Sequence, residues 1–268
     1  MTLVEYFRIV PSMSTHTILF LNQKGGVGKT TSAVNLGSAL AQSGKKVLLI
    51  DLDSQGNLTS ATSIDGRKMG IYEVIAGLCS IQDAIQQTPI LNLYGIASNI
   101  NMAGLNIELV QEQQREFFLK NALEELDDQW DYVLADCPPS LGLVTVNAMV
   151  WAKQVIIPMQ CEYFAMEGLN LLMRTVGNMK KSLNPDLQVL GILFTMYSKR
   201  TKLANEVVED ISSFFPNLVF KTTIPRNVRI AEAPSHGLPI NVYDSSSSGA
   251  KAYKALAVEV IERVSGNQ

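Results

Sequence analysis

Residues 24–31 read Lys-Gly-Gly-Val-Gly-Lys-Thr-Thr. An apolar stretch at 18–21 precedes them, and a stretch of helical spacing follows to about residue 43. Glycines at 25, 26 and 28 let backbone N–H groups converge on an anion without Cβ clashes. A helix that begins at Lys29 aims its positive dipole end at the same anion. Lys29 is then suited to neutralise the β- and γ-phosphates of a nucleoside triphosphate, and the Thr30 hydroxyl to ligate Mg²⁺. Lys24, Gly25, Gly26, Val27, Gly28, Lys29, Thr30 and Thr31 are therefore candidate nucleotide-binding residues. The alternative, a glycine-rich turn ahead of an ordinary helix, does not account for strand, loop, Lys-Thr and helix occurring together.

Carboxylates follow at two other apolar stretches. Asp51 and Asp53 end the run 47–50 and lead into Ser54-Gln55-Gly56-Asn57. Asp136 ends the run 132–135 and begins Asp136-Cys137-Pro138-Pro139-Ser140. An acid at the end of a strand beside a phosphate loop can hold Mg²⁺ through water. Two prolines stiffen a turn that must sense the γ-phosphate. A lone aspartate after a strand is more often a cap; here two such sites accompany a phosphate loop. Thr30, Asp53 and Asp136 are the candidate metal-site residues, with Asp51 expected to organise the Mg²⁺ shell or the loop.

These residues need a scaffold that brings strand ends together. Apolar runs at 18–21, 47–50, 92–97, 132–135, 155–158, 189–195 and 219–224 read as strands. Helical spacing covers 105–126, 166–183, 203–215 and 250–264. Continuous Val/Ile/Leu strands separated by helices predict an α/β fold: a doubly wound, mostly parallel sheet flanked by helices. In such a sheet ligands sit at the carboxyl ends of the strands, where the motifs fall. Residues 15–268 are expected to form a single domain, with 1–14 an arm that is disordered or precedes an alternative start at Met13.

Composition narrows the function. The chain has 268 residues, 47% hydrophobic and 18% charged, as expected of a globular protein. Its net charge of −3 excludes a polycation, so a nucleic-acid contact requires a local patch. Cys79, Cys137 and Cys161 form no C-x-x-C pair, which disfavours a zinc or iron–sulfur site and suits a reducing compartment. The apolar runs are strand-sized, and the N-terminus is a poor signal peptide, so no membrane span is expected. His16 and His236 are expected to be structural.

The loop departs from the general phosphate-loop pattern, having Gln23 where the first glycine would stand and a lysine, Lys24, next to it. In this it resembles the deviant Walker A family of ParA, MinD and the nitrogenase iron protein. Residues 51–57 resemble that family's switch I, with Ser54 where proline is usual, and 136–140 resemble its switch II. The runs 158–168, 195–197 and 224–235 resemble the Soj/ParA branch, and the likeness extends from about 17 to 264.

The resemblance implies an ATP- and Mg²⁺-dependent ATPase. Lys24 would reach across an ATP-sandwiched homodimer to the partner's nucleotide, acting with Lys29 and Asp53 in catalysis, and Asp53 would position the attacking water. Pro225, Arg226 and Asn227 would lie near the adenine. The implied partners are non-specific DNA and a ParB-type centromere-binding protein, the location cytoplasmic and nucleoid-associated, and the role DNA segregation.

Residues 199–229 carry six cations against three carboxylates, a net +3 within an acidic chain. The resemblance implies that arginines of this region contact DNA across the ATP-bound dimer, so Arg200 and Arg229, then Arg226, are the candidate DNA contacts, and no base-reading motif accompanies them. A solvated face is the alternative. The rival functions are a MinD-like membrane-cycling ATPase, a ParA-like positioner of another cargo, and a metabolic phosphate-loop enzyme of the dethiobiotin synthetase kind. Against the first, residues 250–264 look like a core helix with no basic amphipathic segment after it. Against the nitrogenase branch, Cys137 reads as a small apolar filler. The 14 residues ahead of the first strand are too few for the N-terminal DNA-reading domain of large ParA proteins.

Overall fold

The computed structural model describes residues 15–126 and 129–266; the arm expected over 1–14 lies outside the described residues. The chain runs β1 (His16–Phe20), α1 (Lys29–Gln42), β2 (Val47–Asp51), α2 (Asn57–Ala61), α3 (Ile71–Ile75), α4 (Ile81–Ala84), β3 (Ile85–Gln87) and β4 (Leu93–Ile96). It continues through α5 (Leu105–Glu108), α6 (Phe118–Ala122), β5 (Tyr132–Asp136), α7 (Leu143–Trp151), β6 (Gln154–Gln160) and α8 (Ala165–Ser182). The last part is β7 (Gln188–Thr195), α9 (Lys202–Phe214), α10 (Val228–Glu232), α11 (Ile240–Tyr243) and α12 (Ser248–Gly266).

The strands form one seven-stranded sheet in the order β3-β4-β2-β5-β1-β6-β7. All its pairings are parallel except β3 with β4. Side chains alternate across each strand, so a strand covered on both faces is apolar at every position. In β1, Ile18 and Phe20 enter the core beneath α1 and α12, with Leu36, Leu40, Tyr253 and Leu256. Leu19 enters the opposite core with Val144 and Ala148 of α7 and Leu169 of α8. These two helical layers bury the sheet on both faces and gather its carboxyl ends at one edge.

Three expectations need correction. Residues 105–126 are not one helix: α5 and α6 are short and joined by 3₁₀ turns, with Gln114 at φ 54. The polar run Glu112-Gln113-Gln114 interrupts the apolar face that Leu105, Leu109, Leu119 and Leu123 would otherwise share. Residues 219–224 are not a strand. They run beside β7 and join it by isolated bridges, Ile192 to Val219 and Tyr197 to Pro225. Between those bridges the N–H groups of Lys221 and Thr222 donate to the Glu259 carboxylate on α12, at 2.8 and 3.0 Å. The Thr222 N–H is thereby lost to a ladder with β7, although Phe220 and Ile224 on either side donate to the Ile192 and Phe194 carbonyls. Finally, α7 is a helix where no element was expected. Its sequence is apolar on nearly every side and β-branched early, so it carries no helical period.

Candidate functional site

The loop after β1 turns through Gly26 at φ 73 and Gly28 at φ 87, left-handed geometries that favour glycine. Gly28 precedes the first turn of α1. Ends of neighbouring strands brace this loop. Asn22 donates from Nδ2 to the Pro158 carbonyl at 2.8 Å, and its Oδ1 accepts the Lys24 N–H at 3.0 Å. Gln160, which ends β6, donates to the Gly26 carbonyl at 2.7 Å. Thr195, which ends β7, donates to the Val27 carbonyl at 2.8 Å. Asn22, Gln160 and Thr195 were not singled out from the sequence; their placement at strand carboxyl ends was the available signal.

A cavity of about 550 Å³ opens in front of the loop, with Lys29, Thr30, Asp53, Asn57 and Pro139 among its lining residues. A second cavity of about 400 Å³ shares Gly28, Thr31, Met196 and Pro234 with it and is walled by Pro225, Arg226 and Asn227. Together they suit a phosphate tail and a base. Met196 stands at their junction with φ 50, an uncommon conformation for a residue bearing a Cβ.

The cations and acids of the loop face one another. Lys29 is buried, and its ammonium donates to the Lys24 carbonyl at 3.2 Å. Burial holds Lys29 below the usual lysine range, against the upward pull of Asp136. Asp51 and Asp136 are register partners on adjacent strands, and both are wholly buried. Burial pushes Asp136 well above the ordinary carboxylate range, and Asp51 reinforces the shift. Thr30 Oγ1 donates to Asp136 Oδ2, while Asp136 Oδ1 is buried with no hydrogen-bond partner among the described residues. An orphaned carboxylate oxygen beside a threonine hydroxyl fits a hard divalent cation. Among the described residues no group of three or more His, Cys, Asp or Glu could cage a metal. A cation here would therefore take most ligands from water and phosphate, as Mg²⁺ does.

Asp51 Oδ1 accepts the Asp53 N–H at 3.1 Å, and its Oδ2 accepts from Thr59. It organises the segment after β2 that carries Asp53, and does so through hydrogen bonds to the backbone and to Thr59. Burial pushes its carboxyl up to about 6. Asp53 itself lines the larger cavity and accepts the Gln55 N–H at 3.1 Å.

Lys24 is exposed and ion-paired with Glu162, and it does not line the larger cavity, although neighbouring Gly25 does. Both Lys24 and Glu162 border a separate hollow that includes the exposed Tyr163 and Phe164. The three arginines are dispersed. Arg226 walls the second cavity. Arg200 is exposed just ahead of α9. Arg229, in α10, is paired with Glu232 at 2.9 Å and Asp244 at 3.8 Å.

Comparison with known proteins now bears on this geometry. The family described as an AAA domain matches residues 15–189. The chromosome-partitioning ATPase Soj of Treponema pallidum is 51% identical over 247 residues, 92% of this chain and 97% of that protein. The chain belongs to the Soj/ParA family of chromosome-partitioning ATPases. It is an ATPase that works with ATP and Mg²⁺. Within the family, the sporulation initiation inhibitor protein Soj of Bacillus subtilis is 49% identical, covering 91% of this chain and 97% of that one. Among solved structures, cobyrinic acid a,c-diamide synthase from Mycobacterium smegmatis, with bound ATP analogue and magnesium, superposes with a TM-score of 0.83. It is 35% identical and covers 95% of this chain and 97% of that chain. The doubly wound sheet and the cleft at its strand ends are thus those of a family ATPase.

Proposed function

We propose that this family ATPase is a nucleotide-gated DNA-segregation switch. Two copies close over two ATP molecules, and the closed dimer binds DNA without sequence preference. Hydrolysis, stimulated by a ParB-type partner, releases it, so the protein cycles on the nucleoid. The observation that carries this reading is the position of Lys24. Its ammonium stands outside the cavity of its own phosphate loop, exposed and, among the described residues, held by the surface pair with Glu162 alone. A surface pair of this kind is worth about 0–1 kcal/mol, so it yields readily to a phosphate presented by a second copy.

In this reading Lys24 supplies charge in trans to the phosphoryl group being transferred, as an arginine finger does. Lys29 and the backbone of 25–31 hold the phosphates in cis. Mg²⁺ would be held by Thr30 and, through water, by Asp136 and Asp53, and it would neutralise charge on the β- and γ-phosphates. Asp53 orients the attacking water from the cavity wall. Pro225, Arg226 and Asn227 flank the base.

Arg200 is unpaired among the described residues, which suits a phosphate-backbone contact. Arg226 and Arg229 belong to the same interface, and Arg229 has to exchange Glu232 and Asp244 for DNA. No helix among the described residues is long and apolar enough to cross a membrane. The apolar face of α12 packs on the sheet through Tyr253, Leu256 and Val260 rather than standing free for a lipid surface.

The test is co-sedimentation of the Asp53→Ala protein with DNA and with anionic liposomes, with ATP or ADP present. ATP-dependent binding to DNA alone is expected; binding to liposomes and not to DNA would favour a membrane-cycling role. The Mycobacterium smegmatis relative is named for an amidation. ATP turnover that requires a small carboxylic-acid acceptor would support that rival.

A further inference from the structure

Thr59 lies in α2 and is buried, as are Asp51 and Ser98. Its N–H and hydroxyl both donate to Asp51 Oδ2, at 2.9 and 2.7 Å. Its Oγ1 accepts the Ser98 N–H at 2.9 Å, just past the end of β4. The other oxygen of Asp51 accepts the Asp53 N–H. One buried chain of hydrogen bonds thus runs from the backbone of Asp53 through Asp51 and Thr59 to the sheet at Ser98. The same end of β4 receives the Ile71 N–H at the Ala97 carbonyl, 2.9 Å, which ties in the start of α3.

Asp51 does not line the cavity, and the described structure commits both of its oxygens to this chain. A buried carboxylate is a poor way to gain stability, since an apolar residue of similar size would fill the space without a desolvation penalty. The Asp51 and Thr59 side chains are fully satisfied by one another, the Asp53 N–H and the Ser98 N–H, and side chains so tied specify a single arrangement instead. What this one specifies is the path of the backbone that carries Asp53 to the cavity wall.

We propose that Thr59 is a positioning residue for ATP hydrolysis: acting through Asp51, its hydroxyl fixes the place of Asp53 relative to the γ-phosphate. Loss of the hydroxyl removes one of Asp51's three donors and leaves the buried Ser98 N–H without its acceptor. The segment 53–59 then drifts, while the phosphate loop, braced separately by Gln160 and Thr195, keeps its grip on nucleotide. The inference rests on the assignment of Asp53 to the attacking water.

The experiment compares Thr59→Val, Thr59→Ala, Thr59→Ser and Asp53→Ala with the unsubstituted protein. It measures steady-state ATP hydrolysis, equilibrium binding of a non-hydrolysable ATP analogue, and thermal melting. Thr59→Val and Thr59→Ala are expected to lower kcat by about tenfold or more, the scale of a sub-ångström to ångström misplacement. KM and analogue affinity should stay within about twofold, and Thr59→Ser should recover most of the lost kcat. Undiminished kcat in the valine and alanine variants, with Asp53→Ala inactive, overturns the role of Thr59 alone. A kcat that falls only together with affinity and melting temperature, with no recovery by serine, also overturns it. Normal turnover in Asp53→Ala overturns the assignment of Asp53, and this inference with it.

Discussion

Replacing Asp136 by asparagine should make the nucleotide-free protein more stable and the nucleotide-bound protein less so. In the free protein Asp136 sits fully buried, register-paired with the equally buried Asp51. One of its oxygens has no hydrogen-bond partner among the described residues. An unsatisfied buried polar group costs about 1–3 kcal/mol, and a charged one more than a neutral one. Asparagine keeps an oxygen for the Thr30 hydroxyl and cannot ionise, so the cost of charging or protonating the buried carboxyl at neutral pH is removed; a net gain of about 1–3 kcal/mol, after the cost of its unpartnered amide N–H groups, is expected. For a chain of this size that is a rise in Tm of very roughly 2–10 °C.

With Mg²⁺ and ATP present the parent should regain that difference, in part or wholly. Ligand at 100 times its Kd stabilises the native state by about 2.7 kcal/mol. A non-hydrolysable ATP analogue carries this comparison, because turnover would drain the ligand and Asp53→Ala would itself remove a proposed metal residue. Asp136→Asn with that analogue should lose the Mg²⁺-dependent part of the gain. The assay is thermal melting with EDTA, with Mg²⁺, and with Mg²⁺ and the analogue. A free Asp136→Asn protein that melts below its parent, or one that keeps the full Mg²⁺-dependent rise, would refute the reading of Asp136 as a cation site maintained at a cost to stability.

Other perturbations separate the remaining roles. Lys29→Ala should abolish nucleotide-dependent melting shifts and DNA binding together, measured by melting and by filter binding. Asp53→Ala should accumulate an ATP-bound, DNA-bound form; turnover at the parental rate, followed by phosphate release, would contradict it. Arg200→Glu should weaken DNA binding and reduce its salt dependence while leaving ATP-dependent self-association intact. Arg229→Glu should also weaken DNA binding, but with some loss of melting temperature, because it sets a third carboxylate beside Glu232 and Asp244.

Asp51 gives a pH signature. Its folded pKa of about 6 lies above the unfolded carboxylate value, so the native state binds the extra proton. Its contribution to stability is therefore favourable below about pH 4 and is lost as pH rises through about 6. The stability of the parent relative to Asp51→Asn should fall by about 3 kcal/mol across that window, read by urea unfolding at several pH values. A flat difference would contradict the burial argument.

The phosphate loop was legible because its chemistry is local. Lys29, Thr30 and the glycines act through backbone geometry that eight consecutive residues determine. The placement of Asp136, which ends β5, and of Asp53, two residues past the end of β2, was legible because parallel strands end together. The brace from Gln160 and Thr195 was not, since it depends on β6 and β7 reaching the loop side by side. Glu162 went unseen as the partner of Lys24 for the same reason. The failure at 219–224 has a different source: the run is apolar enough for a strand, but Glu259, 37 residues beyond Thr222, diverts the Thr222 N–H. The hydrogen bonds of Asp51 to Thr59 and to the Asp53 N–H were not legible, because they depend on how the chain turns after β2.

The mass of the Asp53→Ala protein by light scattering, with Mg²⁺ and either ATP or ADP, bears most directly on the claim that Lys24 serves a second copy. A dimer with ATP and a monomer with ADP is the expected result, with Lys24→Ala monomeric in both. A particle that stays monomeric with ATP, or dimerises equally without Lys24, would contradict it.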